Sequence, residues 1–283
     1  MPSALILLCS RVTLSRMNLS YEIVGDGPTL VLLHGVVHRR EAWDPVLAEL
    51  SRHRRVVTVD LPGHGRSPAM PEGDDPLQLG MEILREFLDE ISDGGPIHVA
   101  GNSLGGWFAL ELAATGAVAS ATALSPAGFF VNSLDQRRAV TTFLFLRRAA
   151  RLMGRHRDQI LDTKIGRTIA LAVFFAKPWL IDAEVAKIDS RSLLTNEIID
   201  RGLQADFGFT TPPADARVTV AWGGRDLVLP AYEARMVHRV FPQATVRVYP
   251  GVGHVPMTDD PELVAAILLD GSRSVGHLDS DAA

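Results

Sequence analysis

The chain has one cysteine in 283 residues, Cys9, which excludes an intramolecular disulfide and fits a reducing, cytoplasmic setting. It has no basic excess. A net charge of −5 gives no electrostatic case for nucleic acid, whose phosphates call for a cationic surface. It also lacks an apolar run long enough for a bilayer. The most apolar window, "TIALAVFFAKPWLI" over residues 168–181, is broken by Lys177-Pro178, so no integral membrane insertion is expected. The apolar start "MPSALILLCS" is short and has no basic residue before it, and it reads as an N-terminal extension (1–10) rather than a signal peptide. With 47% hydrophobic and 22% charged residues, the composition is that of a folded globular chain. Arg147, Arg148, Arg151, Arg155 and Arg157 cluster locally, but apolar residues interleave them at helical spacing, which reads as a solvated helix face.

What is present is alternation. Short β-rich runs occur at "TLVLLH" (29–34), "RVVTVD" (55–60), "IHVAGN" (97–102), "SATALS" (120–125), "RVTVAW" (217–222) and "ATVRVY" (244–249). Each is nearly continuous in apolar content, as strands covered on both faces of a parallel sheet are. Between them lie amphipathic patterns such as "PLQLGMEILREFLDEI" (76–91), with a proline where a first helical turn tolerates one. "RVTLSRMNLSYEIVG" (11–25) reads as two strands meeting at a turn on an antiparallel edge. The fold class expected is α/β: a mostly parallel, doubly wound sheet of about eight strands with flanking helices. The rhythm stops once, over residues 126–216, where helical patterns run without a convincing strand. The domain plan is therefore a core of 11–125 and 217–270, a helical insertion of 126–216 and a flexible tail of 271–283. Open α/β sheets bind ligands beyond the carboxyl ends of their strands, so an insertion emerging there would roof the site.

The stretch "AGNSLGG" places Ser103 where a strand hands over to a helix. The G-x-S-x-G pentapeptide alone decides little, because a plain glycine turn reads the same way; its strand-to-helix context is what a nucleophile elbow requires. A serine hydroxyl needs a base to take its proton and a third group to hold that base. His254, in "YPGVGHVPM", lies on a loop past the strand at 244–249. Asp226, in "WGGRDLVLP", lies just past the strand at 217–222. Each alone would be an ordinary loop histidine or turn aspartate, whereas all three stand at strand ends on one edge of the sheet. Acyl transfer also needs two N–H donors aimed at the developing oxyanion. The backbone N–H of Leu104, at the helix start, and of Val36, after His34-Gly35, are the candidates. His34, at a strand terminus, reads as structural.

The order Ser103, Asp226, His254 resembles the α/β-hydrolase superfamily, as do "HG" (34–35), "DLPGHGRS" (60–67), "WGGRD" (222–226) and "GHVPM" (253–257). The resemblance implies a carboxylesterase-like serine hydrolase with a helical cap, the 126–216 segment, inserted after the family's sixth strand. It implies a covalent acyl-enzyme with no metal and no organic cofactor: Ser103 as nucleophile, His254 as general base then acid, Asp226 as its orienter, and an oxyanion hole from the amides of Val36 and Leu104. His64 and Arg66, in "DLPGHGRS", belong to what is mainly a structural turn in the family. Relatives acting on haloalkanes or epoxides carry aspartate at the elbow, where this chain has Ser103. Asn102 is shared with hydrolases that cleave carbon–carbon bonds of aromatic ring-fission products, but the "VVHRREAW" loop and Val255 depart from their pattern. Apolar insertion residues mostly suit packing; Phe129, Phe130, Phe174 and Trp179, with Trp107 behind the elbow, are the candidates for lining a substrate pocket. The expected partner is an apolar small-molecule ester, and the oligomeric state stays open. Three functions stand at this point: an ester hydrolase, a carbon–carbon bond hydrolase with the same triad, and a ligand-binding member that hardly turns over.

Overall fold

In the computed structural model, which describes residues 17–273 apart from 74, 197 and 202–204, seven strands form one sheet. They are β1 (Tyr21–Val24), β2 (Thr29–Leu33), β3 (Arg55–Val59), β4 (Ile97–Asn102), β5 (Ser120–Leu124), β6 (Val218–Gly223) and β7 (Thr245–Tyr249), in the spatial order β1-β3-β2-β4-β5-β6-β7. All neighbours are parallel except β1, which pairs antiparallel with β3 in the register Tyr21↔Val59. The doubly wound α/β sheet expected from the alternating textures is therefore present. The strand expected ahead of β1 falls largely on residues outside those described, which leaves seven strands rather than about eight.

Strand burial follows from the residue pattern. Every residue of β2 and β5 is buried, because both faces of these inner strands are covered. The edge strand β1 is largely exposed. Helices α1 (Asp44–Leu50), α2 (Pro76–Ile91) and α3 (Leu104–Ala114) connect the first strands. Helix α2 starts where Asp75 caps it, its carboxylate accepting from the Leu77 and Gln78 N–H groups at 3.0 Å each, with Pro76 pre-set for the first turn. Its stripe Leu77, Met81, Leu84, Leu88 and Ile91 is buried in the hydrophobic core. Helix α3 is apolar on all sides and wholly buried, as befits the element that packs on β4 and β5.

Between β5 and β6 the described residues hold no strand; the α-helices there are α4 (Ser133–Met153), α5 (Arg157–Asp162), α6 (Lys164–Leu171), α7 (Ala183–Thr195) and α8 (Ile198–Arg201), with short 3-10 turns at Gly154–His156 and Pro178–Leu180. Arg148, Arg151 and Arg155 are exposed as the helical spacing implies, but Arg147 is not on that solvated face. It is buried, donating through Nε to the Leu193 carbonyl at 2.8 Å and through Nη2 to that of Asn196 at 2.6 Å. Adjacent residues of an α-helix stand about 100° apart, so Arg147 turns inward while Arg148 faces out. Arg157 is also mostly covered and pairs with Asp158.

After β6 come α9 (Val237–Val240), α10 (Pro256–Asp259) and α11 (Pro261–Gly271). Ordered structure continues past residue 270. The Gly271 carbonyl accepts from Ser120 Oγ at 2.9 Å, and Arg54 donates to the Ser272 hydroxyl at 3.1 Å. The rest of the expected tail and the 1–10 extension lie outside the described residues. Among the described residues no helix is long and apolar enough to cross a membrane, and no cluster of side chains could hold a metal ion.

The winding direction reverses between β2 and β4, since the chain steps outward to β3 and then crosses back over β2. The carboxyl ends of those two central strands carry Gly35-Val36 and Ser103, so both emerge where open α/β sheets bind ligands.

Candidate active site

Ser103 is the single residue between β4 and α3, with φ 56° and ψ −115°. That left-handed backbone is rare for a residue with a Cβ and costs on the order of 1–3 kcal/mol. Three hydrogen bonds over-determine it: Ser103 N–H donates to the Leu124 carbonyl at 3.0 Å, and its own carbonyl accepts from Trp107 at 3.0 Å and Ala127 at 3.1 Å. The glycines on either side allow the turn to close. A Cβ on Gly101 would stand 2.0 Å from the Gly105 carbonyl oxygen, and one on Gly105 would stand 2.1 Å from that of Leu33.

His254 sits on the loop between β7 and α10 and is buried. Its Nδ1 donates to Asp226 Oδ2 at 2.7 Å, and the other oxygen of Asp226 accepts from the Val228 and Leu229 N–H groups at 2.8 Å each. A buried carboxylate with three donors is paired on both oxygens, and its grip on Nδ1 leaves Nε2 as the ring nitrogen free for a hydroxyl. The elbow and the histidine loop are tied directly, because Asn102 Nδ2 donates to the main-chain carbonyl of His254 at 2.8 Å. The structure thus brings Ser103, Asp226 and His254 to one edge of the sheet.

The Gly35–Val36 peptide lies beside the serine: a Cβ on Gly35 would be 3.4 Å from Ser103 Cβ. Its carbonyl is held by His38 N–H at 3.1 Å and His34 Nδ1 at 2.8 Å. In a trans peptide this turns the Val36 N–H the opposite way. The Val36 carbonyl is fixed in turn by His64 Nε2 and by Asn196 Nδ2, both at 2.7 Å. Leu104 heads α3, where its N–H has no helical acceptor. His34 Nε2 accepts from the Leu61 N–H at 3.0 Å, so both ring nitrogens are committed to the backbone, and burial holds its pKa well below the usual histidine value. His64 is likewise pushed down by burial.

The expected lining residues divide. Phe174 packs 6.4 Å (ring centroids) from His254 and forms part of the wall of an apolar cavity of about 240 Å³ between α4, α5, α6 and α7. Trp107, Phe129 and Phe130 are not in that wall. They belong to an aromatic cluster with Phe207, Phe209 and Trp222, in which Phe129 stacks on Phe209 at 4.8 Å. Trp179 is 46% exposed on the outside of the insertion. Phe175 stands beside Phe174 in the cavity wall; sequence reasoning passed over His38 and Asp189 there, and Asp259 behind the histidine. Asp259 accepts from the N–H groups of Gly253 (2.8 Å), Ala176 (2.9 Å) and Lys177 (2.7 Å), clamping the His254 loop to the insertion. Its signal in the sequence was only an acid in "TDDPEL", indistinguishable there from a helix cap.

Comparison with known proteins agrees with this fold. Residues 30–267 match the model of the alpha/beta hydrolase family. The chain is 27% identical over 261 residues, covering 87% of it and 96% of the relative, to a pimeloyl-[acyl-carrier protein] methyl ester esterase of Nitrosomonas europaea. It is 30% identical over 166 residues, 59% of this chain and 56% of the relative, to an (E)-2-((N-methylformamido)methylene)succinate hydrolase of Acinetobacter baylyi. A putative lipase from Acinetobacter baumannii superposes with a TM-score of 0.71 at 24% identity, covering 90% of this chain and 89% of the other. The chain belongs to the alpha/beta hydrolase family and is an enzyme of the serine hydrolase type.

Proposed function

We propose that this enzyme cleaves a carboxylic ester of an apolar small molecule through an acyl-enzyme formed on Ser103. The observation that carries the reading is the buried 2.7 Å pair of His254 Nδ1 and Asp226, tied to the strained Ser103 elbow through Asn102. Ser103 Oγ attacks the ester carbonyl carbon while His254 Nε2 takes the hydroxyl proton, and Asp226 stabilises the imidazolium that results. The carbonyl oxygen, now negative, faces the N–H groups of Val36 and Leu104. Collapse expels the alcohol, which takes the proton back from Nε2. Water then repeats the sequence on the acyl-serine and releases the acid.

The choice of an apolar ester rests on the cavity beside His254. Its wall is Phe145, Leu146, Leu171, Phe174, Phe175 and Leu193 with few polar atoms, and such a wall favours an apolar group over a charged one. Residues 126–216 act as a cap over the strand ends, and the 2.7–2.9 Å contacts of Asp259 with Ala176 and Lys177 anchor that cap to the histidine loop. The esterase relative from Nitrosomonas europaea supports ester chemistry. The lone cysteine supports a cytoplasmic setting.

Labelling with a fluorophosphonate, with Ser103→Ala as control, tests the nucleophile: one labelled serine in the parent and none in the variant is expected. A panel of p-nitrophenyl esters set against a ring-fission dienoate tests the bond cleaved. Turnover of the dienoate alone would replace the ester reading with carbon–carbon bond hydrolysis, and labelling without turnover of either would point to a ligand-binding role.

A further inference from the structure

The loop after β2 reads Val36-Val37-His38-Arg39, and His38 is 94% buried at the wall of the apolar cavity. Its Nδ1 lies 3.1 Å from Asp189 Oδ2 on α7, and the other oxygen of Asp189 accepts from Arg39 Nη1 at 2.8 Å. A carboxylate only accepts, so Nδ1 carries the proton, and a neutral ring then presents a lone pair at Nε2. That nitrogen is buried and has no partner among the described residues. A buried polar atom left unpaired costs on the order of 1–3 kcal/mol, and a site that keeps one is open to a ligand that completes it.

Placement says which ligand. The Cδ2 atom, bonded to Nε2, is 3.6 Å from the point where a Cβ on Gly35 would stand, and Ser103 Cβ is 3.4 Å from the same point. The Cδ2–Nε2 edge of the ring therefore borders the space beside the serine, while the rest of the ring meets Phe175 at 6.3 Å between centroids. The other charged groups in the cavity wall are already engaged, Asp189 by His38 and Arg39, and Arg157 by Asp158 at 3.0 Å. Asn102 Oδ1, also buried and unpartnered among the described residues, lies 3.4 Å from the same Gly35 point on the core side, and His38 is the acceptor that stands in the wall of the apolar cavity.

We propose that His38 determines specificity for acyl groups that carry a hydroxyl a few bonds from the scissile carbonyl and an apolar tail after it, the hydroxyl donating to Nε2. The proposal rests on the ester-hydrolase reading of Ser103. Asp189 is the positioning residue: it fixes the tautomer and reaches His38 from the insertion, so the acceptor forms when insertion and core are docked.

The test compares matched p-nitrophenyl esters, 3-hydroxyoctanoate against octanoate, and the binding of the two corresponding acids by calorimetry. The wild-type protein is expected to favour the hydroxylated ester in kcat/KM. In His38→Phe or His38→Leu, whichever keeps the wild-type melting profile, that preference is expected to fall about tenfold or more. His38→Gln, which keeps an acceptor oxygen, is expected to restore part of the preference. The acids should show the same ordering in affinity, a readout independent of turnover. A wild-type preference at or below one in both measurements overturns the proposal, as does a preference that survives loss of the imidazole. A preference for a carboxylate-bearing chain, lost in the same variants, would make the ring a donor and overturn the acceptor assignment. If neither ester turns over yet the hydroxy acid binds more tightly through His38, the ester reading fails and the subsite stands.

Discussion

Asn102 donates from Nδ2 to the main-chain carbonyl of His254 at 2.8 Å, linking the residue before the serine to a loop 152 positions later. The same amide donates to the Leu124 carbonyl at 3.0 Å, so one buried side chain holds β4, β5 and the histidine loop together. Asn102→Ala leaves the buried His254 carbonyl without this donor, at about 1–3 kcal/mol, while the Leu124 carbonyl keeps the Ser103 N–H. The expected result is a melting temperature lowered by several degrees and a kcat that falls more than KM rises, because the His254 backbone loses its anchor. Thermal melting and p-nitrophenyl ester kinetics check both. A variant with unchanged kcat would show that the histidine is held by Asp226 and Asp259 alone.

Gly105→Ala makes a sharper steric test. The added methyl would stand 2.1 Å from the Leu33 carbonyl oxygen and 2.6 Å from that of His34, both backbone atoms of the central strand end. Neither can move without displacing β2, so a loss of more than about 3 kcal/mol is expected despite the better helix propensity of alanine. Urea denaturation measures it. A loss under about 1 kcal/mol would mean that the elbow has slack and is not closed by sterics.

The elbow was legible in the sequence because its geometry tolerates so few residues: a strained serine needs small neighbours, and Gly101 and Gly105 announce them. Helix α2 was legible because its first-turn proline and its apolar stripe agree. Arg147 was not, since charge at helical spacing reads as exposure until the facing carbonyls of Leu193 and Asn196 are seen. His38 and Asp189 lie 151 residues apart and their pairing has no local signature. Trp107, Phe129 and Phe130 looked like pocket residues because aromatic side chains suit a ligand and a packed cluster equally well. Sequence order cannot separate the two.

Asp226→Asn keeps the shape of the side chain but changes what it offers His254. The two N–H groups of Val228 and Leu229 still need an acceptor at 2.8 Å, so the amide oxygen is expected to face them and the NH₂ to face the imidazole. Nδ1 would then have to accept, moving the proton to Nε2, where it can no longer take one from the serine. A kcat reduced by about 10⁴ with little change in stability is expected, read by ester kinetics alongside thermal melting. Near-normal kcat would place the orienting acid elsewhere.

Glu233 is 1% exposed and neither carboxylate oxygen has a hydrogen-bond partner among the described residues. Burial, reinforced by the nearby charges of Asp135 and Asp226, pushes its pKa up to about 8. Between the ordinary value of 4.5 and about 8 the folded protein keeps a proton that the unfolded chain gives up. More protons bound in the folded state means that stability falls as pH rises across this window, by up to roughly 1.4 kcal/mol per pH unit from this group, and levels off above it. Glu233→Gln cannot ionise and is expected to flatten the slope. The gap in unfolding free energy between variant and parent should therefore widen from pH 5.5 to pH 8.5, measured by urea titration at each pH. Parallel stability curves would show that Glu233 is hydrated in solution and titrates like a surface carboxyl.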